Sequence, residues 1–250
     1  MPSSSIIALL TIALPASLHA GPCFLDGQDP KPPGKSWKPV PALSDEFNGT
    51  TLDATKWQSH PEGHGWSWIG RPPALFRAEN VTVSNGKLNV TVGKLDEPLV
   101  LKGSRYTHQG AIVRSLHPGQ PGWFFECKMK ANQTVMSSTF WLMTKNTHRK
   151  KLELDIQECV GRTTTLTLDW ARTWDRIFHS NTIHRTNKHN KTAVRWQAHT
   201  VPPTRNHERF YVYGAWWKSP REIIFFLDGQ YAHTFRPEID WDVTAFFQMA

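Results

Sequence analysis

The chain has 250 residues, 39% of them hydrophobic, and a formal charge of +8, the size and make-up of one domain with capacity for a core and with no apolar run long enough to cross a bilayer. The basic excess suits polyanionic partners, but no helix-turn-helix, zinc or glycine-aromatic signature accompanies it, which argues against nucleic acid. Three cysteines, Cys23, Cys127 and Cys159, match no metal spacing and leave open a Cys127–Cys159 bridge or buried free thiols.

Residues 1–20 carry the short apolar stretch Ile6 to Leu14, then Pro15 and small residues ending at Ala20, which reads as a signal peptide and predicts a secreted protein. Pro22 ahead of Cys23 argues against a lipoprotein anchor. Residues 21–35, rich in Pro and Gly, read as a linker to a single domain over 36–250. Sequons at Asn48, Asn80, Asn89, Asn132 and Asn190 would accept glycans in a eukaryotic secretory route.

From Ser36 onward helical periodicity is scarce. Short strand-like runs recur instead at 79–83, 87–93, 110–115, 123–131, 138–143, 152–159, 164–168, 193–199, 209–216, 222–227 and 231–235, with Asn85-Gly86 and Asp228-Gly229 as the clearest hairpin turns. That spacing predicts an all-β sandwich or barrel. The chain holds twelve tryptophans, and flat aromatic rings suit the apolar C–H faces of sugars. Trp66, Trp68, Trp141, Trp170 and Trp174 are candidate stacking platforms, while Trp57, Trp123, Trp216 and Trp217 are read as structural.

The chemistry concentrates in Glu153-Leu-Asp-Ile-Gln-Glu158. Leu152, Leu154, Ile156 and Val160 give this segment one apolar face, so its acids share the other, an arrangement rarely placed in a sheet without a task. Glu153 and Asp155 point the same way by alternation, but Glu158 joins them only if one extra residue, a bulge at Ile156–Gln157, is inserted. Two carboxylates on one face, one ionised and one protonated, are what glycoside hydrolysis needs. Five strand residues separate the two alpha carbons by roughly 16 Å, so bulge, sheet curvature and side-chain lean must all close the gap. Lys145, Arg149, Lys150, Lys151 and Arg162 flank this strand as a basic rim or a solvated loop. His179, His184 and His189 recur at intervals of five, which matches no metal set.

The motif, with Ser44-Asp-Glu-Phe-Asn-Gly49, Thr139-Phe-Trp-Leu-Met143, Trp216-Trp-Lys218 and Ile223 to Gly229, resembles glycoside hydrolase family 16 from about Pro41 onward. Trp68-Ile-Gly-Arg-Pro-Pro-Ala-Leu-Phe76 is similar to its β-agarase and β-porphyranase branch. The resemblance implies a jelly-roll of two curved antiparallel sheets with a concave substrate cleft, and an endo-acting retaining enzyme on red-algal galactans. It implies Glu153 as nucleophile, Asp155 as the residue that orients it and keeps it ionised, and Glu158 as acid/base. Trp66, Trp68, Arg71, Trp141 and His184 follow as substrate-binding residues, although His184 stands one place later than the branch's Ser-Asn-Thr-His pattern puts it. A polysaccharide partner, sulfated in the porphyran case, a monomer, and no cofactor or membrane complete the expectation. Family members continue past the strand that 240–250 resembles, often beside a calcium ion, which leaves a truncated C-terminus and an unassigned calcium site open. A β-glucanase, a transglycosylase or a non-catalytic carbohydrate-binding jelly-roll are the alternatives, and the intact acids weigh against the last.

Overall fold

The computed structural model describes residues 21–144, 151–185, 194–237 and 247–249. Strand dominates among them, and helix is confined to three-residue 3-10 turns such as Pro41–Leu43 and Asp169–Ala171. Two antiparallel sheets form the body. The larger runs Val194–Thr200, Phe178–Arg185, Lys151–Val160, Ser137–Thr144, Phe247–Met249, Pro118–Gly119; the smaller runs Phe124–Met129, Tyr211–Ser219, Glu222–Leu227, Gln230–Phe235. Leu142, Leu152, Leu154, Ile156 and Phe178 of the first meet Tyr213, Ala215, Trp217, Ile223 and Phe225 of the second, all at most 1% exposed. Each such side chain contributes about 1.5–3 kcal/mol by leaving water. The apolar side of the acidic strand is therefore the inside of the sandwich, and its acidic side faces outward.

Both expected hairpin turns form. Asn85 and Gly86 take φ of 52° and 66°, Asp228 and Gly229 take 50° and 78°, the left-handed pair that a two-residue turn requires. The C-terminal Phe247–Met249 segment pairs with Leu142–Thr144 and with Pro118–Gly119, inside the larger sheet.

Three expectations need correction. Residues 164–168 form no strand: Leu166 is 90% exposed, because no neighbouring strand stands where this loop runs. A hairpin of Gly93–Leu101 and Ser104–Gly110, absent from the expected runs, joins Gly70–Arg71 and Ala74–Phe76 in a further sheet. In that sheet Ala74–Phe76 lies parallel to His108–Gly110, while the two main sheets are antiparallel as expected. The segment read as a linker is docked. The Leu25 N–H donates to Gly229 O at 3.1 Å, and the Phe24 ring lies 5.1 Å from Phe124 and 5.2 Å from Phe226; just past the segment, in the domain itself, Trp37 lies 5.6 Å from Trp216. The strap covers an aromatic outer face that would otherwise be open to water.

Cys23, Cys127 and Cys159 are all free, and burial pushes the Cys127 and Cys159 thiols up to about 12, where they are inert. Asn80 is no glycan acceptor in the folded chain: it is buried, and its amide donates to Gln109 Oε1 at 3.3 Å and Gly110 O at 3.1 Å. Asn190 lies outside the described residues, as do residues 1–20 and the basic residues 145–150.

Candidate active site

The register between Ser137–Thr144 and Lys151–Val160 slips once. Trp141 opposes Asp155 and Phe140 opposes Gln157, which leaves Ile156 as the extra residue. Ile156 and Gln157 both turn into the sandwich, each 0% exposed, and Glu158 returns to the outer face with Glu153 and Asp155. A bulge interrupts a ladder, so its orphaned groups need partners. Here side chains supply them. Ser180 Oγ donates to Ile156 O at 2.8 Å. The Gln157 amide donates to Ile177 O at 3.0 Å and accepts from the His179 N–H at 3.0 Å, in place of the ladder bonds lost beyond Asp155. Two side chains thus lock the irregularity that aims Glu158.

Residues opposed across antiparallel strands share a face, so the outer face reads as rows. One row is Met143, Glu153, Ile183, Arg195; the next is Trp141, Asp155, Asn181, Gln197; at the far end Thr139 opposes Glu158, and His179 opposes His199. Asn181 Nδ2 donates to Asp155 Oδ2 at 3.1 Å, and Asp155 is 5% exposed. Burial first, then the Glu153 charge, raise the Glu158 carboxyl above the usual glutamate value, while the Arg71 and Arg195 charges pull against them. An acid that must donate a proton near neutrality gains from the first two causes.

Arg71 arrives on a loop fixed over Ser137–Thr144. Trp68 lies 6.0 Å from Trp141 and 4.9 Å from Phe76, both edge-on, and Trp66, Ile112, Trp141 and Met143 close the cluster beneath. Gly70 takes φ of 121°, and a Cβ there would collide with Ala74 O, so only glycine permits the chain to deliver Arg71 at that point.

Of the sequence-predicted residues, Glu153, Asp155, Glu158 and Trp141 share one face, with Trp68 and Arg71 above it. Trp66 does not join them. It is 5% exposed beneath the Arg114 guanidinium, 4.5 Å from the ring centroid, so it is packing and not a platform. Trp141, 8% exposed, forms a wall; Trp68 is only half-buried. His184 opposes Leu152, which faces the core, and is 3% exposed. The one-residue offset turns it inward, and Ile183 takes the outer-face position beside Glu153. Trp170, 67% exposed, packs edge-on to Trp174 at 5.2 Å, and Trp174 lies 5.2 Å from His179.

Sequence reading did not assign Gln157, Ser180, Asn181 or Arg195 to the site, and weighed His179 only as a metal ligand. Gln157 carried a signal, since an amide at an inward position must find partners. Among the described residues no three of His, Cys, Asp and Glu gather as a metal site, so no calcium ligand is assigned. Two half-open hollows, about 320 Å³ lined by residues such as Ser44–Gly49 and about 300 Å³ lined by residues such as His60–Glu62, do not include the carboxylates. Glu153 and Glu158 are part-buried and Asp155 is 5% exposed, so the acids sit sunk in the outer face of the larger sheet.

Residues 37–250 match the model of the β-porphyranase A–D GH16 domain. The chain is 39% identical over 258 residues to β-porphyranase B of Zobellia galactanivorans, covering 99% of this chain and 85% of that one. It is 34% identical over 237 residues to β-porphyranase B of Phocaeicola plebeius, covering 86% and 73%. The crystal structure of porphyranase B from Zobellia galactanivorans superimposes with a TM-score of 0.83 at 40% identity, over 92% of this chain and 86% of that one.

Proposed function

The chain belongs to the β-porphyranase A–D group of glycoside hydrolase family 16, and from that premise we propose that it cleaves β-linkages within porphyran-type red-algal galactans, by double displacement at Glu153 and Glu158. The observation that carries the residue assignment is the bulge that returns Glu158 to the face of Glu153. Retention requires carboxylates about 5–5.5 Å apart, and two glutamates on one face converge only through such a slip.

In the first step a Glu153 oxygen attacks the anomeric carbon as the glycosidic C–O bond breaks, and Glu158 gives its proton to the departing oxygen. In the second, Glu158 takes a proton from water, whose oxygen displaces Glu153 from the same carbon. Burial and the Glu153 charge favour the protonated Glu158 that the first step needs. Asp155, on the same face and held by Asn181, orients Glu153. Trp141 and Trp68 supply aromatic surface for sugar rings, and Arg71 a cation at the cleft edge. No helix of the described residues is long and apolar enough to cross a membrane; the leader-like residues 1–20 agree with action on an extracellular polymer. Its size and +8 charge suit a monomer acting on a sulfated chain.

Digesting porphyran, agarose and a mixed-linkage β-glucan with the purified chain and sizing the products tests the reading. Mid-chain scission of porphyran, giving even-numbered oligosaccharides, is expected. Glucan cleavage with both galactans intact would overturn the substrate assignment.

A further inference from the structure

Two cations act on Glu158 from different sides of the acidic strand. Arg71 comes from the loop packed over Ser137–Thr144; Arg195 stands on the edge strand, two strands away on the other side, in the row of Glu153 and Ile183. At about 4.8 Å per strand, the Arg195 alpha carbon lies roughly 10 Å from that of Glu153, too far for a backbone-fixed ion pair but within reach of a bound sugar. Arg195 is exposed, and among the described residues it forms no salt bridge, whereas Arg77, Arg172, Arg205, Arg209 and Arg236 each pair with a carboxylate. Gln197 and His199 continue the same face, so this wall of the cleft offers hydrogen-bond donors and no acid.

Such a wall is out of place for a neutral glycan. Both arginines favour loss of the proton that Glu158 must hold, so a cleft built for uncharged sugar would work better without them. An anionic substituent reverses the balance: it pairs with the guanidinium in charge-assisted hydrogen bonds and cancels its field at Glu158. We propose that Arg195 is a specificity-determining residue that holds an ester-sulfate group of the galactan beside the scissile bond, a role that rests on the hydrolase reading above and extends it. Substrate charge and the Glu158 proton are thereby linked. Among the described residues, the charged and titratable groups around Glu158 are Glu153, Asp155 and the buried Cys159 on its own strand, His179 on the next, Arg195 and His199 on the edge strand and Arg71 on the segment above; the Ser137–Thr144 strand places the neutral Thr139 opposite it.

The test compares the full chain with Arg195→Gln and Arg195→Lys on porphyran oligosaccharides and on neutral agarose oligosaccharides, over a range of pH. The ratio of kcat/KM for sulfated over neutral substrate is expected to fall about tenfold or more in Arg195→Gln, the size of one charge-assisted contact, with partial recovery in Arg195→Lys. The alkaline limb of kcat/KM on neutral substrate, which reports the free enzyme, is expected to move to higher pH in Arg195→Gln, because a charge that lowers the Glu158 pKa is gone. An equal loss on both substrates, or an unmoved ratio and limb, overturns the proposal while leaving the hydrolase reading intact. A parent chain that cleaves neither galactan defeats that reading, and this role with it.

Discussion

A bulge in the larger sheet and one in the smaller perform the same backbone operation to opposite ends. In the larger sheet the extra residue Ile156 turns Glu158 outward to the acidic face. In the smaller sheet Phe225 opposes His233 and Phe226 opposes Tyr231, so Ala232 is extra and His233 turns inward, its ring 5.4 Å from Phe178 and 4.9 Å from Phe225. The first bulge is locked by Gln157 and Ser180. The second leaves both His233 ring nitrogens buried without a hydrogen-bond partner, and burial pushes the imidazole down to about 4. A bulge re-aims whatever side chain follows it; what that side chain meets decides whether it stands as an acid on the outer face or a neutral core group.

The largest effect should come from the acid that the first bulge serves. Glu153→Gln removes the attacking charge and keeps the shape, and kcat on porphyran should fall about 10⁴-fold or more with thermal stability retained. Turnover near the parent rate would remove Glu153 as nucleophile. Breaking the lock comes next. Gln157→Leu keeps an inward side chain but strands the Ile177 carbonyl and the His179 N–H, costing about 1–3 kcal/mol for each buried group. Activity of the folded fraction should fall about 100-fold as Glu158 is misplaced; a destabilised variant with full kcat would show that the bulge holds without its amide.

The second bulge yields the smallest effect and the sharpest contrast. Unfolded chain takes up a proton at His233 near pH 6.5, whereas folded chain does so only near pH 4. Stability is therefore complete above pH 6.5 and falls as the pH drops toward 4, by about 3 kcal/mol in all from this group. His233→Phe, which extends the surrounding aromatic cluster, should flatten that slope in chemical denaturation series at pH 7, 6, 5 and 4. An unchanged slope would place the acid sensitivity elsewhere.

The contrast also shows what a sequence discloses. The first bulge was legible, since Glu-x-Asp-x-x-Glu shares one face only if a residue is skipped; the second left no trace in Tyr231-Ala-His-Thr, because nothing there demands a particular face. Asn85-Gly86 and Asp228-Gly229 announced their turns through backbone chemistry alone. The Thr164-Thr-Leu-Thr-Leu168 alternation misled, since a strand needs a neighbour and this loop has none. The Gly93–Gly110 hairpin was missed because its exposed, mixed-polarity arm, with Pro98 inside, carries no apolar period. Docking of Phe24 and Trp37, the Arg114 cover on Trp66 and the placement of Arg195 all depend on contacts distant in sequence. The acidic core of the candidate site was local to one segment of sequence; its supports were not.

The measurement closest to the central claim is the anomeric configuration of the first product, followed by proton NMR as the purified chain digests porphyran. Attack by Glu153 with Glu158 as acid/base predicts that the new reducing end appears as the β-anomer and only later equilibrates. Initial release of the α-anomer would mean inversion, with the acids too far apart for a covalent intermediate, and would contradict this account of the bulge.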